Sequence, residues 1–97
     1  LNMEFEVYHS VRGNFSGEEN VKSNQYEKVA VVEADSLDDV YAMTQNISHS
    51  WTKNKGVKIP LKEICRSTSI GDIIRNLNEN QSYIVKMVGF KKIENIF

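Results

Sequence analysis

The sequence is poor in the residues that build redox, metal and covalent centres. Of its 97 residues, one is cysteine and two are histidine. A single cysteine excludes a disulfide within the chain, and it favours a reducing, cytoplasmic environment. His9 has no second His, Cys or carboxylate at metal-ligand spacing, so we interpret it as a hydrogen-bonded histidine near the end of a strand. We therefore expect no metal, no other cofactor and no enzymatic activity.

Long apolar runs and catalytic motifs are also missing. No run approaches the roughly 18 apolar residues that a membrane span needs, and no charged-then-apolar leader precedes the first strand. There is no glycine-rich phosphate loop, no paired-cysteine zinc pattern and no nucleophile elbow. These absences predict a cytoplasmic protein that has no membrane partner.

The composition is that of an ordinary globular domain, and its charge is unevenly distributed. With 40% hydrophobic and 26% charged residues, the chain suits one domain over residues 1–97. The net charge of −1 argues against a protein built mainly to neutralise nucleic acid. Residues 1–50 hold three basic and nine acidic residues (−6), and residues 51–97 hold nine basic and four acidic residues (+5). The polarity predicts two opposed surface patches unless folding mixes the charges.

The first half predicts two strands and one helix. Met3–Val11 alternates apolar and polar residues, and Gln25–Ala34 has a continuous apolar centre, so both are expected strands, antiparallel across a long polar loop at 12–25. Ser36 is a good helix N-cap, and Asp38 and Asp39 suit the first turn of that helix. Its apolar stripe falls at Leu37, Val40, Tyr41, Thr44 and Ile47.

The second half predicts a long connection followed by a strand pair. Pro60 and Gly56 indicate a loop over 48–63. A strand from Ile70 to Ile74, a polar loop and a central strand Tyr83–Phe90 follow, and residues 91–97 finish the last strand and fray.

The fold class that follows is α+β, with a mainly antiparallel, curved sheet of four or five strands in the order β-β-α-β-β and one helix packed on it. Gly71 and Gly89 lie where bulges would bend the strands, so a partly open barrel is the alternative form of this sheet. Met3–Val11 is expected at a sheet edge, where it could pair two copies of the chain.

The stretch Arg-Ser-Thr-Ser-Ile-Gly-Asp-Ile-Ile at 66–74, with Tyr83-x-Val85 and Gly89-Phe90-x-x-Ile93 after it, resembles the tail of small uncharacterised phage and plasmid proteins. Those proteins carry an Arg-Ser-x-Ser-hydrophobic-Gly-Asp segment before a strand pair that ends in Gly-Phe. The resemblance implies a mobile-element origin, and it assigns no activity.

Three functions are consistent with these patterns. The leading hypothesis is a noncatalytic interaction module that binds a protein, one from the host if the resemblance holds. The second is single-stranded nucleic-acid binding through the loop from Trp51 to Lys62, where the tryptophan would be a stacking platform among lysines. The third is an enzyme that uses a Cys65–His49 pair.

The candidate binding residues each have a structural alternative. Trp51 either stacks on a ligand or plugs the gap between helix and sheet. Asp72 either lines a pocket or caps a turn, with Arg66 as its surface partner. The full set of candidates is Trp51, Lys53, Lys55, Lys58, Arg66 and Asp72.

Overall fold

The computed structural model describes residues 2–97, whose strands form one open antiparallel sheet of six strands in the order β3-β2-β1-β4-β5-β6. The elements are β1 (Met3–Ser10), β2 (Tyr26–Ala34), α1 (Leu37–Met43), β3 (Val57–Pro60), β4 (Ile73–Asn76), β5 (Gln81–Val85) and β6 (Phe90–Ile93). The α+β class and the single α-helix are confirmed for the described residues. The count of four or five strands and the order β-β-α-β-β are wrong, and the sheet has two free edges rather than a barrel closure.

The two additional strands lie in segments that contain Pro or Gly, and these residues favour turns, so the sequence pattern did not indicate strands there. β3 lies in the region expected to be a loop, and it accommodates Pro60 because an edge strand does not need every N–H donor. The predicted strand Tyr83–Phe90 in fact comprises the end of β5, a tight turn and the first residue of β6. The Lys86 N–H donates to the Gly89 carbonyl at 3.0 Å, and Gly89 has a φ of +74°, which a residue without a Cβ adopts freely.

β1 lies in the interior of the sheet, because β2 pairs with one side of it and β4 with the other. The prediction of an edge at Met3–Val11 is therefore wrong. Both faces of this strand are buried: Phe5 and Val7 are 0% exposed on one face, and Tyr8 is 8% exposed on the other. The edges are β3 and β6 instead. The register shifts lie between Val7 and Tyr8 and in β2–β3, not at the glycines expected to bulge.

Helix α1 covers one face of the sheet, which we call the helix face. Its N-terminus is as predicted, with the Asp39 N–H donating to the Ser36 hydroxyl at 3.1 Å. It ends at Met43, so the expected stripe out to Ile47 is wrong, and Ile47 is 87% exposed. After the helix, the Gln45 side chain donates to the Thr68 carbonyl, and Asn46 bonds to Ser67 and Cys65, so this segment is held against residues 65–68.

The opposite side of the sheet, which we call the far face, carries a second apolar cluster. Its buried members are Tyr8, Tyr26, Ile73 and Ile84, and Val21, Ile93, Ile96 and Phe97 pack against them. The expectation that residues 91–97 fray is therefore wrong for Ile96 and Phe97.

The charges of the two halves are interleaved rather than segregated. Cations of the second half form ion pairs with carboxylates of the first because the sheet brings the halves side by side. These pairs are Lys58–Glu33, Lys62–Glu27, Arg75–Glu6, Lys86–Glu19 and Lys91–Glu19. In these regions the charges of the two halves are therefore mixed, which is the second of the two expected outcomes, and they do not form opposed patches.

Candidate functional site

Asp72 has a structural role, and its carboxylate is not accessible to a ligand. Its side chain is 1% exposed. Arg66 donates to both of its carboxylate oxygens, at 2.7 and 2.8 Å, and the backbone N–H groups of Ser10 and Ser69 donate to it at 2.8 Å each. The bond from Ser69 confirms the predicted turn cap, and the hydrogen bond with Asp72 raises the pKa of Arg66. With four donors on two oxygens, this carboxylate has no free position for a ligand.

The neighbouring residues of the same stretch also bond within the chain. The Thr68 N–H donates to the Thr44 carbonyl, and the Gly71 N–H donates to the Val85 carbonyl. The Gly71 carbonyl accepts from the Tyr26 hydroxyl at 2.6 Å. We call residues 66–72 the hub, because they join β1, β2, the end of α1 and β5. The motif that carries the resemblance is therefore explained by the fold.

The structure brings Cys65 to His9, and not to His49 as the enzyme hypothesis expected. Cys65 Sγ lies 3.5 Å from His9 Nδ1, and His9 Nε2 is hydrogen-bonded to Thr68 Oγ1 at 2.9 Å. Asp72 Oδ2 lies 3.9 Å from the same nitrogen. Thiol, imidazole and carboxylate thus follow one another in the order that nucleophilic cysteine sites use. His49 is exposed and bonds to Asn54 instead.

Electrostatics argue against a reactive cysteine. Burial lowers the pKa of His9 to about 4. Burial also raises the pKa of the Cys65 thiol. At neutral pH both groups are therefore uncharged, whereas a reactive pair holds a thiolate beside an imidazolium. Asp72 favours the imidazolium form of His9, but this carboxylate is shared with Arg66, and the effect of burial on the pKa of His9 is larger. The geometry is that of a buried S–H···N hydrogen bond.

A cavity of about 390 Å³ lies beside this pair, on the helix face. It is lined by His9, Ser10, Val11, Glu27, Val29, Lys62, Ile64, Cys65 and Arg66. Ile64 is 85% exposed and Val11 is 64% exposed. Lys62 and Glu27 neutralise each other, with Nζ to Oε2 at 2.9 Å. We call this the Ile64 cavity, and it combines a buried floor with two exposed apolar side chains.

Trp51 is buried and cannot act as a stacking platform. The side chain is 0% exposed, and its indole N–H donates to the Arg66 carbonyl at 2.8 Å. The structural alternative, a plug between helix and sheet, is confirmed, and single-stranded nucleic-acid binding by this loop stays a prediction that the buried indole does not support. Lys53, Lys55 and Lys58 are exposed, and Lys58 pairs with Glu33.

Comparisons with protein-family models, curated proteins and solved structures found no match. The mobile-element origin therefore stays a prediction. Among residues 2–97, no helix is long and apolar enough to cross a membrane. The same residues hold no group of three or more His, Cys, Asp or Glu side chains placed to bind a metal ion.

Sequence reasoning missed the Ile64 cavity. Val11 ends the apolar alternation of Met3–Val11, a pattern that predicts a buried inner face, and Ile64 directly follows the predicted loop at 48–63. The only available signal was an apolar residue between Glu63 and Cys65, a pattern that does not distinguish a core position from an exposed one. The register of β1 and the path of the 61–66 loop place the two side chains on the same cavity.

Proposed function

We propose that this protein is a noncatalytic interaction module that binds a protein partner at the Ile64 cavity. The observation that supports this most directly is that Ile64 and Val11, 85% and 64% exposed, line one cavity. Exposed apolar side chains around a cavity are typical of binding surfaces, because their burial against a partner is favourable. The thiol–imidazole pair on the floor of the cavity is uncharged, so a partner needs no opposite charge in order to cover it.

The partner that fits is one that inserts a large apolar or aromatic side chain. The rim charges of Lys62 and Glu27 are paired with each other, so shape and apolar burial contribute more to recognition there than net charge. The resemblance to phage and plasmid proteins supports a mobile-element accessory protein in the cytoplasm and a host protein as its partner.

Self-association through a sheet edge has less support. On β3, Pro60 lacks the N–H that a neighbouring strand would use. On β6, Lys91 and Lys92 are exposed, and antiparallel pairing with a second copy would bring like charges together.

The test uses two isoleucines of nearly equal exposure. Ile64→Asp changes the cavity, and Ile47→Asp is the control because Ile47 is 87% exposed and does not line the cavity. We expect wild type and Ile47→Asp to recover the same stoichiometric partner from host lysate, and Ile64→Asp to lose at least roughly tenfold in affinity, as a central apolar contact does. Recovery of that partner by Ile64→Asp at wild-type affinity would contradict the proposal, as would the absence of any stoichiometric partner for the folded wild type.

A further inference from the structure

We propose that the far face of the sheet contains a binding site for a planar heteroaromatic ring of the nucleobase type, which Phe97 of the same chain now fills. The Phe97 ring lies flat on Tyr8, with 3.6 Å between ring centroids and 7° between ring planes. This site is separate from the Ile64 cavity, because Tyr8 and His9 are adjacent in β1 and point to opposite faces of the sheet.

The stacking geometry favours a different occupant. Two benzene-type rings both carry a negative face, so they prefer offset or edge-to-face arrangements with centroids about 4.5–7 Å apart. The Tyr26–Phe97 pair has that preferred form, at 6.2 Å and 86°. The Tyr8–Phe97 pair does not. Nucleobases are flat heterocycles with polar ring atoms, and they stack face to face on aromatic side chains in nucleic-acid-binding proteins.

The surroundings of the stacked rings suit a base and an attached phosphate. Ile73 and Ile84, both 0% exposed, belong to the same apolar cluster as Tyr8. The Tyr8 hydroxyl donates to Glu6 at 2.9 Å, and Lys28 and Arg75 bind the same carboxylate. Two cations beside one carboxylate leave this edge of the cluster with positive charge.

Arg75 also supplies a polar group without a partner. Its Nε is buried, and no hydrogen-bond acceptor meets it among residues 2–97. Buried N–H donors are normally paired, so an unpaired one near Tyr8 marks a position that an acceptor of a ligand would satisfy. Nucleobase carbonyls, ring nitrogens and phosphate oxygens are all acceptors of this kind.

The segment that carries Phe97 is held by few polar contacts. Residues 94–97 form no strand or helix, and the Asn95 side chain bonds to Ser82 at 3.0 Å and to Asn80 at 2.9 Å. A competing ring therefore displaces the aromatic contacts of Phe97 with Tyr8 and Tyr26 and the packing of Ile96. Such a ring can come from a free nucleotide or from a single strand of nucleic acid.

The experiment is a titration with adenosine monophosphate and, separately, with a short adenine oligonucleotide. Phe97→Ala should bind about tenfold more tightly than wild type, because the internal occupant is gone. The matched control is Phe15→Ala, since Phe15 is 72% exposed and is not part of the cluster, and it should bind like wild type. Equal affinity for both probes identifies a free nucleotide as the ligand; tighter, strongly salt-dependent binding of the oligonucleotide identifies a single strand.

Two further measurements make the proposal falsifiable. Tyr8→Leu in the Phe97→Ala background keeps apolar volume and removes the stacking ring, so base binding should be lost while cooperative urea unfolding is retained. The second measurement uses the wild-type protein. Addition of the nucleotide should shift the NMR resonances of the Phe97 ring protons towards those of an unstacked phenylalanine. Absence of binding by Phe97→Ala, binding that survives Tyr8→Leu, unshifted Phe97 resonances at saturation, or phenol binding as tightly as the nucleotide would each overturn the proposal.

Discussion

Asp72 and His9 show how two buried polar side chains acquire different roles from their neighbours. Asp72 receives four hydrogen bonds, two of them from a cation, and holds β1 against the hub. His9 is 4% exposed and is hydrogen-bonded to one hydroxyl and one thiol, while the nearest carboxylate, that of Asp72, lies 3.9 Å away and is shared with Arg66. A buried carboxylate that accepts hydrogen bonds from a cation is stabilised as a charged group, whereas the shared Asp72 carboxylate does not offset the cost of burying an imidazolium, so burial lowers the pKa of His9. This difference disfavours a thiolate–imidazolium pair at Cys65 and His9 at neutral pH.

The depressed pKa of His9 predicts a loss of stability in mild acid. Its pKa is about 4 in the folded protein and 6.5 in an unfolded chain. At a pH between these two values, His9 is protonated in the unfolded state and neutral in the folded state. Stability from this group is complete above the unfolded pKa and falls as the pH drops towards the folded pKa. From neutral pH to about pH 4 the loss from His9 alone should be about 3 kcal/mol.

Urea unfolding at both pH values measures this loss, with His9→Gln as the comparison. Glutamine keeps hydrogen-bonding capacity and does not titrate, so the variant should lose less free energy of unfolding over the same pH interval. Equal pH dependence in wild type and variant would show that burial does not suppress the protonation of His9.

At the scale of the secondary-structure elements, two glycine turns set where strands begin. Gly71 precedes β4 with a φ of +88°, and Gly89 precedes β6 with a φ of +74°. A Cβ at Gly71 would overlap the Asn14 carbonyl, whereas a Cβ at Gly89 would meet no atom within 4 Å. The first glycine is therefore required by a close approach of two loops, and the second only by its backbone conformation.

The two turns provide a matched pair of substitutions. Gly89→Ala should cost about 1 kcal/mol, the usual cost of a positive φ for an L-residue. Gly71→Ala should cost about 3 kcal/mol or more, because the overlap with Asn14 adds to the same backbone cost. Urea unfolding of both variants tests this order, and equal costs would mean that the 11–25 loop moves away without penalty.

At the scale of the whole molecule, β1 connects everything else. It pairs with β2 on one side and β4 on the other, and it contributes side chains to the apolar clusters on both faces. Ion pairs between residues 1–50 and residues 51–97 add to the contacts that this strand pairing makes. A molecule whose central strand belongs to both clusters has no line along which it divides into separately stable parts.

We therefore expect one cooperative unfolding transition. Trp51 fluorescence reports the helix-face cluster, and far-ultraviolet circular dichroism reports the whole sheet. The two urea curves should superimpose, with one midpoint. Separate midpoints would show that the strands beyond β1 unfold independently on one side.

The sequence alone was sufficient for features that depend on near neighbours. These are the α+β class, the antiparallel β1–β2 pair, the Ser36 cap and the Asp72 turn, because periodicity, capping and turn chemistry act over a few residues. It was insufficient for the split of Tyr83–Phe90 into two strands and for the strand at Pro60, where local patterns are ambiguous and the position in the sheet decides.

The tertiary structure alone decided which distant groups meet. His9 contacts Cys65, Arg66 binds Asp72 together with the end of β1, and Trp51 lies beneath the Arg66 backbone. It also placed Val11 beside Ile64 and Phe97 on Tyr8. Such contacts depend on strand order and loop path, which are set by burying apolar surface over the whole chain and not by any short stretch of it.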